Sequence, residues 1–205
     1  MTIHLNRIGK RFNREWIFRN LTATYRSGQR VAIGGPNGSG KSTLLSVLWS
    51  QTPPSEGDIR YEHNGCPIEA EEIFRSLSLA APYMDLIEDF TLREQLDFHF
   101  SFKECAAGPL AGLPERIGLK KFTDHPVRTF SSGMKQRLRL ALALYSRSEI
   151  TFLDEPTTNL DDQGVRWYHQ ELGECGNRLI FIASNSAGDF PTDAVPLNLI
   201  EFKLS

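Results

Sequence analysis

Eight consecutive residues, Gly35-Pro36-Asn37-Gly38-Ser39-Gly40-Lys41-Ser42, carry the spacing G-x-x-x-x-G-K-[S/T]. Glycines let a backbone curl until successive N–H groups point into one hollow, and a helix starting there turns its positive end toward the same place. Both features favour a polyphosphate. Lys41 is spaced to reach the β- and γ-phosphates of a nucleotide. Ser42 can put a hydroxyl on Mg2+, a cation that prefers oxygen ligands, and Thr43 can add a hydroxyl near the α-phosphate. The plain alternative is a glycine-rich turn that carries a lysine by chance. The apolar run at 31–33 before the loop and the helical pattern after it argue against that alternative. The pattern gives nucleotide binding, and it does not choose among kinases, GTPases and motor ATPases.

A second candidate lies more than a hundred residues on. The apolar run Ile150-Thr151-Phe152-Leu153 ends in two carboxylates, Asp154 and Glu155. Asp154 is suited to orient Mg2+ through water, and Glu155 to polarise an attacking water as general base. A single acid there would read as a helix cap, but beside a phosphate loop the pair reads as catalytic. Upstream, Phe130-Ser131-Ser132-Gly133-Met134-Lys135-Gln136-Arg137 opens a helix, and Ser131 or Ser132 can cap it.

That last run resembles the signature motif of ATP-binding cassette (ABC) proteins, whose usual form is L-S-G-G-Q. Asp154-Glu155-Pro156-Thr157-Thr158-Asn159-Leu160-Asp161 is similar to the same family's Walker B and D-loop segment. The motifs follow the family's order, and the resemblance covers essentially the whole chain. It implies an α/β fold of the P-loop NTPase type. A mixed central sheet would carry helices, an antiparallel β subdomain and a small helical subdomain. One cassette would fill residues 1–205, with the helical subdomain near 84–128 plus the signature helix 131–146. It also implies a head-to-tail dimer around two Mg-ATP, each nucleotide lying between one copy's loop (Gly35 to Thr43) and the other's Ser131, Ser132 and Gly133. Asp161 would lie in the D-loop at the dimer interface. Family members stack an aromatic on adenine; Phe12 matches that place, with Trp16 as its rival and core packing as the plain alternative for both.

Two family positions depart from the pattern. Tyr83 stands where a glutamine is usual, and its phenol could touch a water near Mg2+ without being equivalent to an amide. Asn185 stands where a switch histidine is usual. It can donate a hydrogen bond to the γ-phosphate but cannot carry a positive charge. Glu155 and Lys41 are retained, so hydrolysis is expected to survive, slower or differently coupled.

These groups need elements to hold them. Hydrophobic patterning predicts strands at 2–8, 16–25, 30–33, 58–62, 150–153 and 179–183. It predicts helices at 41–50, 90–102, 131–145 and 161–172, with a short helix running to Lys120. Leu92, Leu96, Phe98 and Phe102 are expected on one helix face. Residues 196–204 are expected as a strand or short hairpin.

The 205 residues are enough for one sizeable core, or one core with a small lobe. Lys and Arg number 23 against 25 acids, a net −2, so no basic field marks a nucleic-acid binder. Cys66, Cys105 and Cys175 are odd in number and widely spaced, which argues against a disulfide framework or zinc site. No run approaches the ~20 apolar residues that cross a bilayer. The expected setting is cytoplasmic, peripheral on the inner face of the membrane. The family resemblance implies as partners a separate transmembrane permease subunit, docked over roughly 83–103, and a second ABC ATPase subunit, identical or different. In size the chain resembles small export cassettes, including those linked to cytochrome c maturation. The alternatives are a soluble ABC ATPase acting on ribosome or nucleic acid, and a slow, ATP-sensing cassette.

Overall fold

The computed structural model describes residues 1–203. In chain order the elements are β1 (Thr2–Phe12), β2 (Glu15–Arg26), β3 (Arg30–Gly34), α1 (Lys41–Leu48), β4 (Glu56–His63), β5 (Cys66–Ile68), β6 (Leu77–Ala80) and α2 (Leu92–Phe102). There follow α3 (Leu113–Arg116), α4 (Ser132–Tyr145), β7 (Ile150–Asp154), α5 (Asp162–Gly173), β8 (Leu179–Ser184) and β9 (Val195–Asn198). They fall into two compact units. The first holds Met1–Leu77, Ser148–Glu155 and the chain from Gly176 onward; the second holds Ser78–Arg147 and Pro156–Cys175.

The first unit contains two sheets. One is antiparallel, in the order β2-β1-β4-β5. Its inner face carries Ile3, Leu5, Ile8, Phe18, Leu21 and Tyr61, all essentially excluded from solvent. β1 and β2 join through the two-residue turn Asn13-Arg14, with Asn13 at φ 53°, a left-handed conformation that asparagine tolerates. The other sheet is parallel, in the order β7-β8-β3-β9 within this unit. Every residue of β7 and β8 is buried, as a continuous apolar strand requires. Phe152 and Phe181 stack at 5.3 Å across these two strands, and Trp49 meets Phe152 edge-on. Such contacts hold the strand ends in fixed positions.

The second unit is mainly helical. Thr91 and Glu94 close a reciprocal capping box at the start of α2. Asp161 caps α5 by accepting from Gly164 N–H. Arg116 grips the buried Glu171 through Nε and Nη2 and lies 4.8 Å over the Tyr145 ring. In α4 the apolar residues Leu138, Ala141, Leu142 and Tyr145 are buried along one face, as the 3.6-residue period requires.

Several expectations are corrected. Phe98 and Phe102 do not share the buried face of Leu92 and Leu96; they are exposed, at 46% and 76%. Helical rotation of about 100° per residue carries position 98 roughly 240° round from position 92. Gln95 takes the buried place, its side-chain oxygen accepting from Ile87 N–H at 2.9 Å. The helix after the glycine loop stops at Leu48, two residues short of its predicted end, with Ser50 at φ 63°. The C-terminal stretch forms a strand, one of the two expected forms, but only as far as Asn198, where a 3-10 turn, Leu199–Phe202, takes over; the end of that predicted stretch, residue 204, lies outside the described residues. Among the described residues no helix is long and apolar enough to cross a membrane.

Candidate functional site

The glycine loop leaves the end of β3 and enters α1. Gly38 and Gly40 adopt φ of 75° and 100°. A Cβ on Gly40 would lie 2.3 Å from Ile17 Cγ2, so this glycine is required both by its conformation and by close packing. Lys41 is 95% buried, and its ammonium donates to the carbonyls of Gly35 (2.9 Å) and Pro36 (3.2 Å). It also stands 3.4 Å from Glu155 Oε1. Ser39 Oγ is buried with no hydrogen-bond partner. An open cavity of about 380 Å3 lies over the loop, lined by residues Asn37 to Thr43, Glu155 and Ile17. Its floor is the N-terminus of an eight-residue helix with no acid in its first turn, an environment that favours an anion.

The acid pair ends β7. Asp154 is 2% exposed, and its Oδ1 has no partner. Burial pushes its carboxyl above the usual carboxylate range. The neighbouring Glu155 charge adds to that, while the Ser42 hydroxyl and Lys41 pull the other way. An orphaned carboxylate oxygen beside a serine hydroxyl fits a hard cation that takes only one or two protein ligands. Mg2+ is such an ion, completing its shell with phosphate oxygens and water. Among the described residues no cluster of three acids, histidines or cysteines competes as a metal site.

Glu155 sits at φ 45°, a left-handed conformation that costs a non-glycine residue roughly 1–3 kcal/mol. Its N–H bonds Ala183 O at 2.8 Å, which holds the turn. The carboxylate is gripped at both oxygens: Oε1 faces Lys41, and Oε2 lies 3.1 Å from Ser184 Oγ and 3.4 Å from Asn185 N. Asn185 is exposed just past β8 and donates through Nδ2 to Asn37 Oδ1 at 3.0 Å. The glycine loop, Asp154, Glu155 and Asn185 are therefore brought together within the first unit.

The aromatic candidates differ in surroundings. Phe12 ends β1 with half its surface open, and Lys10 Nζ lies 5.3 Å from its ring centre. Trp16 is approached by the guanidiniums of Arg11 (5.5 Å) and Arg19 (4.6 Å). Ile17, which lines the cavity, carries no motif and was not among the sequence candidates.

The remaining candidates belong to the second unit. Ser131, not Ser132, caps α4, accepting from Met134 N–H at 3.2 Å. Gly133 packs so tightly on the D-loop that a Cβ there would lie 2.7 Å from Asn159 O. Gln136 donates to Pro156 O, and Arg137 pairs with Asp161 at 3.1 Å. The Gly164 N–H and the Arg137 guanidinium hold the Asp161 carboxyl below its usual range. Signature helix and D-loop thus form one braced cluster beside a cavity of about 390 Å3. Tyr83 also lies in this unit, 56% exposed, whereas its proposed co-ligands Ser42 and Asp154 lie in the first.

A family model described as ABC transporter matches residues 18–158. The lipoprotein-releasing system ATP-binding protein LolD 2 of Rhodospirillum rubrum is 35% identical over 173 residues, covering 77% of this chain and 73% of that protein. The uncharacterized ABC transporter ATP-binding protein YcbN of Bacillus subtilis is 27% identical over 202 residues, 97% of this chain and 66% of its own length. The chain spans less than two thirds of YcbN, and about half of some other curated relatives. Among solved structures, the dimeric structure of MJ0796, a bacterial ABC transporter cassette, superposes with a TM-score of 0.74 at 23% identity, covering 90% of this chain and 88% of that one. At that identity the match speaks for the fold.

Proposed function

Since the chain belongs to the ABC transporter family, we propose that it is an ATPase that binds Mg-ATP, pairs with a second cassette, and drives a separate membrane permease. The observation that carries this reading is the convergence of Lys41 and Glu155 on one glycine-lined cavity in the first unit, with the buried Asp154 carboxyl hydrogen-bonded to Ser42 of the same loop. Ser42 and Asp154 would hold Mg2+, which supplies charge neutralisation to the phosphates when bound. Lys41 would exchange its loop carbonyls for the β- and γ-phosphates, releasing Glu155 to hold the attacking water. Phe12 would stack on adenine, and Asn185 would reach the γ-phosphate as a neutral donor. Tyr83 would meet a water of the cation only if the second unit brings it there.

In the second unit, Ser131, Ser132 and Gly133 would face the other cassette's γ-phosphate. Asp161, held by Arg137, would stand at the dimer interface. The permease would dock over residues 83–103, where Tyr83, Phe98 and Phe102 expose aromatic surface. The chain would then lie on the inner face of the membrane. Relatives named for export fit this direction of work, the cytochrome c biogenesis ATP-binding export protein CcmA 2 of Cupriavidus metallidurans among them.

The test measures steady-state ATP turnover of the purified chain and of Glu155→Gln, with the mass of each by light scattering in Mg-ATP. The expected result is loss of turnover in Glu155→Gln and its accumulation as an ATP-bound dimer. Unchanged turnover in that variant removes Glu155 as the base, and a mass that stays monomeric with the permease present reduces the reading to nucleotide binding. A second reading, a slow ATP-sensing cassette, is favoured by Asn185, which offers the γ-phosphate no cation.

A further inference from the structure

Ser184 ends β8, fully buried, and no motif singles it out. Its hydroxyl has three neighbours. Ser186 N–H donates to it at 3.0 Å, Asp189 Oδ2 lies at 2.7 Å, and Glu155 Oε2 at 3.1 Å. A hydroxyl owns one hydrogen. Two carboxylates therefore compete for a single donor, one of them 98% buried.

We infer that Ser184 is a positioning residue for Glu155, its one hydrogen contested by the buried Asp189 carboxylate, so that the direction of the hydroxyl sets how the Glu155 carboxylate is held. The inference rests on Glu155 being the base. In the resting chain the shorter contact takes the hydrogen, so it lies on Asp189. Glu155 is then held by the Lys41 ammonium at Oε1 and by the long Asn185 N–H contact at Oε2. Once Lys41 turns to phosphate, Glu155 loses its cation and becomes the stronger acceptor. The Ser184 hydrogen swings to Oε2, where it and Asn185 N–H fix the carboxylate from behind. Oε1 is left to take the hydrogen bond of a water. No bond to carbon or phosphorus changes in this step; one O–H rotates.

The experiment compares kcat, KM, affinity for a fluorescent ATP analogue and melting temperature in the full chain and four variants: Ser184→Ala, Ser184→Thr, Asp189→Asn and Glu155→Gln. A hydrogen bond to a charged group is expected to move kcat by about tenfold or more. Ser184→Ala is expected to lose that much kcat, with KM and affinity within about twofold of the parent and Ser184→Thr restoring most of the loss. Asp189→Asn presents a neutral, weaker competitor, so its kcat should equal or exceed the parent's. Three results overturn the inference while Glu155→Gln remains inactive. They are parental kcat in Ser184→Ala, equal losses of affinity and kcat in Ser184→Ala that threonine does not rescue, and Asp189→Asn as slow as Ser184→Ala. Full activity in Glu155→Gln overturns the base assignment itself and Ser184's role with it.

Discussion

Asp154→Asn should act with opposite signs in the empty and loaded protein. In the empty chain Asp154 is almost wholly buried, with one carboxylate oxygen unpartnered and its pKa raised chiefly by burial. A raised folded-state pKa means that the native state binds the proton more tightly than the unfolded one. The contribution of this group to stability is therefore fully present at acid pH and lost as pH rises through the raised value. When ionised, Asp154 is a buried, ill-satisfied charge that costs on the order of 1–2 kcal/mol. An isosteric amide removes it, and a chain of this size gains about 2–4 °C in Tm per kcal/mol. Asp154→Asn should thus melt roughly 2–8 °C above the parent in chelator at pH 7. The gap should close as pH falls through the range where Asp154 itself becomes protonated. Mg-ATP reverses the order. At a hundredfold excess over Kd a ligand adds about 2.7 kcal/mol to the parent, and the Mg-dependent part of that increment should vanish in the variant. Scanning calorimetry with chelator, with ATP alone and with Mg-ATP reads all three terms. A variant that melts below the parent without ligand refutes the burial argument; a surviving Mg-dependent increment refutes Asp154 as the cation's holder.

Other perturbations probe the remaining parts. Gly133→Ala puts a methyl 2.7 Å from Asn159 O, so the D-loop must move by several tenths of an ångström; overpacking of this kind costs about 1–3 kcal/mol. Nucleotide titration should be unchanged, while ATP-dependent dimerisation in the Glu155→Gln background should weaken, as light scattering would show. Arg116→Ala leaves Glu171 buried without its cation and should lower stability by on the order of 3 kcal/mol, read by urea unfolding. Asn185→His supplies a group that can carry charge at the γ-phosphate position and should raise kcat roughly tenfold, with a new pH dependence in the imidazole range; a flat profile and unchanged kcat would count against Asn185 as a phosphate contact.

What could be seen beforehand was local in character. The glycine loop, the acid pair and the capped helix each lie in one short run, where spacing alone carries the chemistry. The buried strands β7 and β8 were visible as apolar runs for the same reason. What escaped depends on pairing between distant segments. Ile17 reaches the loop cavity because the strand that carries it passes Gly40, and nothing in its neighbours announces this. Ser184 and Asp189 look like ordinary polar residues until β8 is set beside β7. Phe98 and Phe102 share apolar type with Leu92 and Leu96 but not their helix face. A polar Gln95 with a backbone partner outcompeted them for the inner face. Local patterning likewise does not join Pro156–Cys175 to the helical segment Ser78–Arg147, although the two make up the second unit.

The site exists because three strands share one register. β8 lies between β7 and β3, with Asp154 opposite Ala183 and Ser184 opposite Gly34. All three strands run parallel, so their carboxyl ends finish at the same level, where open α/β sheets hold ligands. Glu155 N–H continues the ladder one residue further, onto Ala183 O, before the chain turns left-handed. A slip of β8 by one residue would move each of its side chains to the opposite face. Its uninterrupted burial makes such a slip costly. Asn185 lies beyond that constraint, exposed on the loop after the strand. The side chain there, proposed to reach the γ-phosphate, can therefore change from charged to neutral without disturbing the strands. Ser184, one residue earlier and fully buried within the ladder, has no such freedom. On this reasoning, substitution at 185 should alter rate while leaving stability nearly unchanged, and a bulky apolar residue at 184 should cost both.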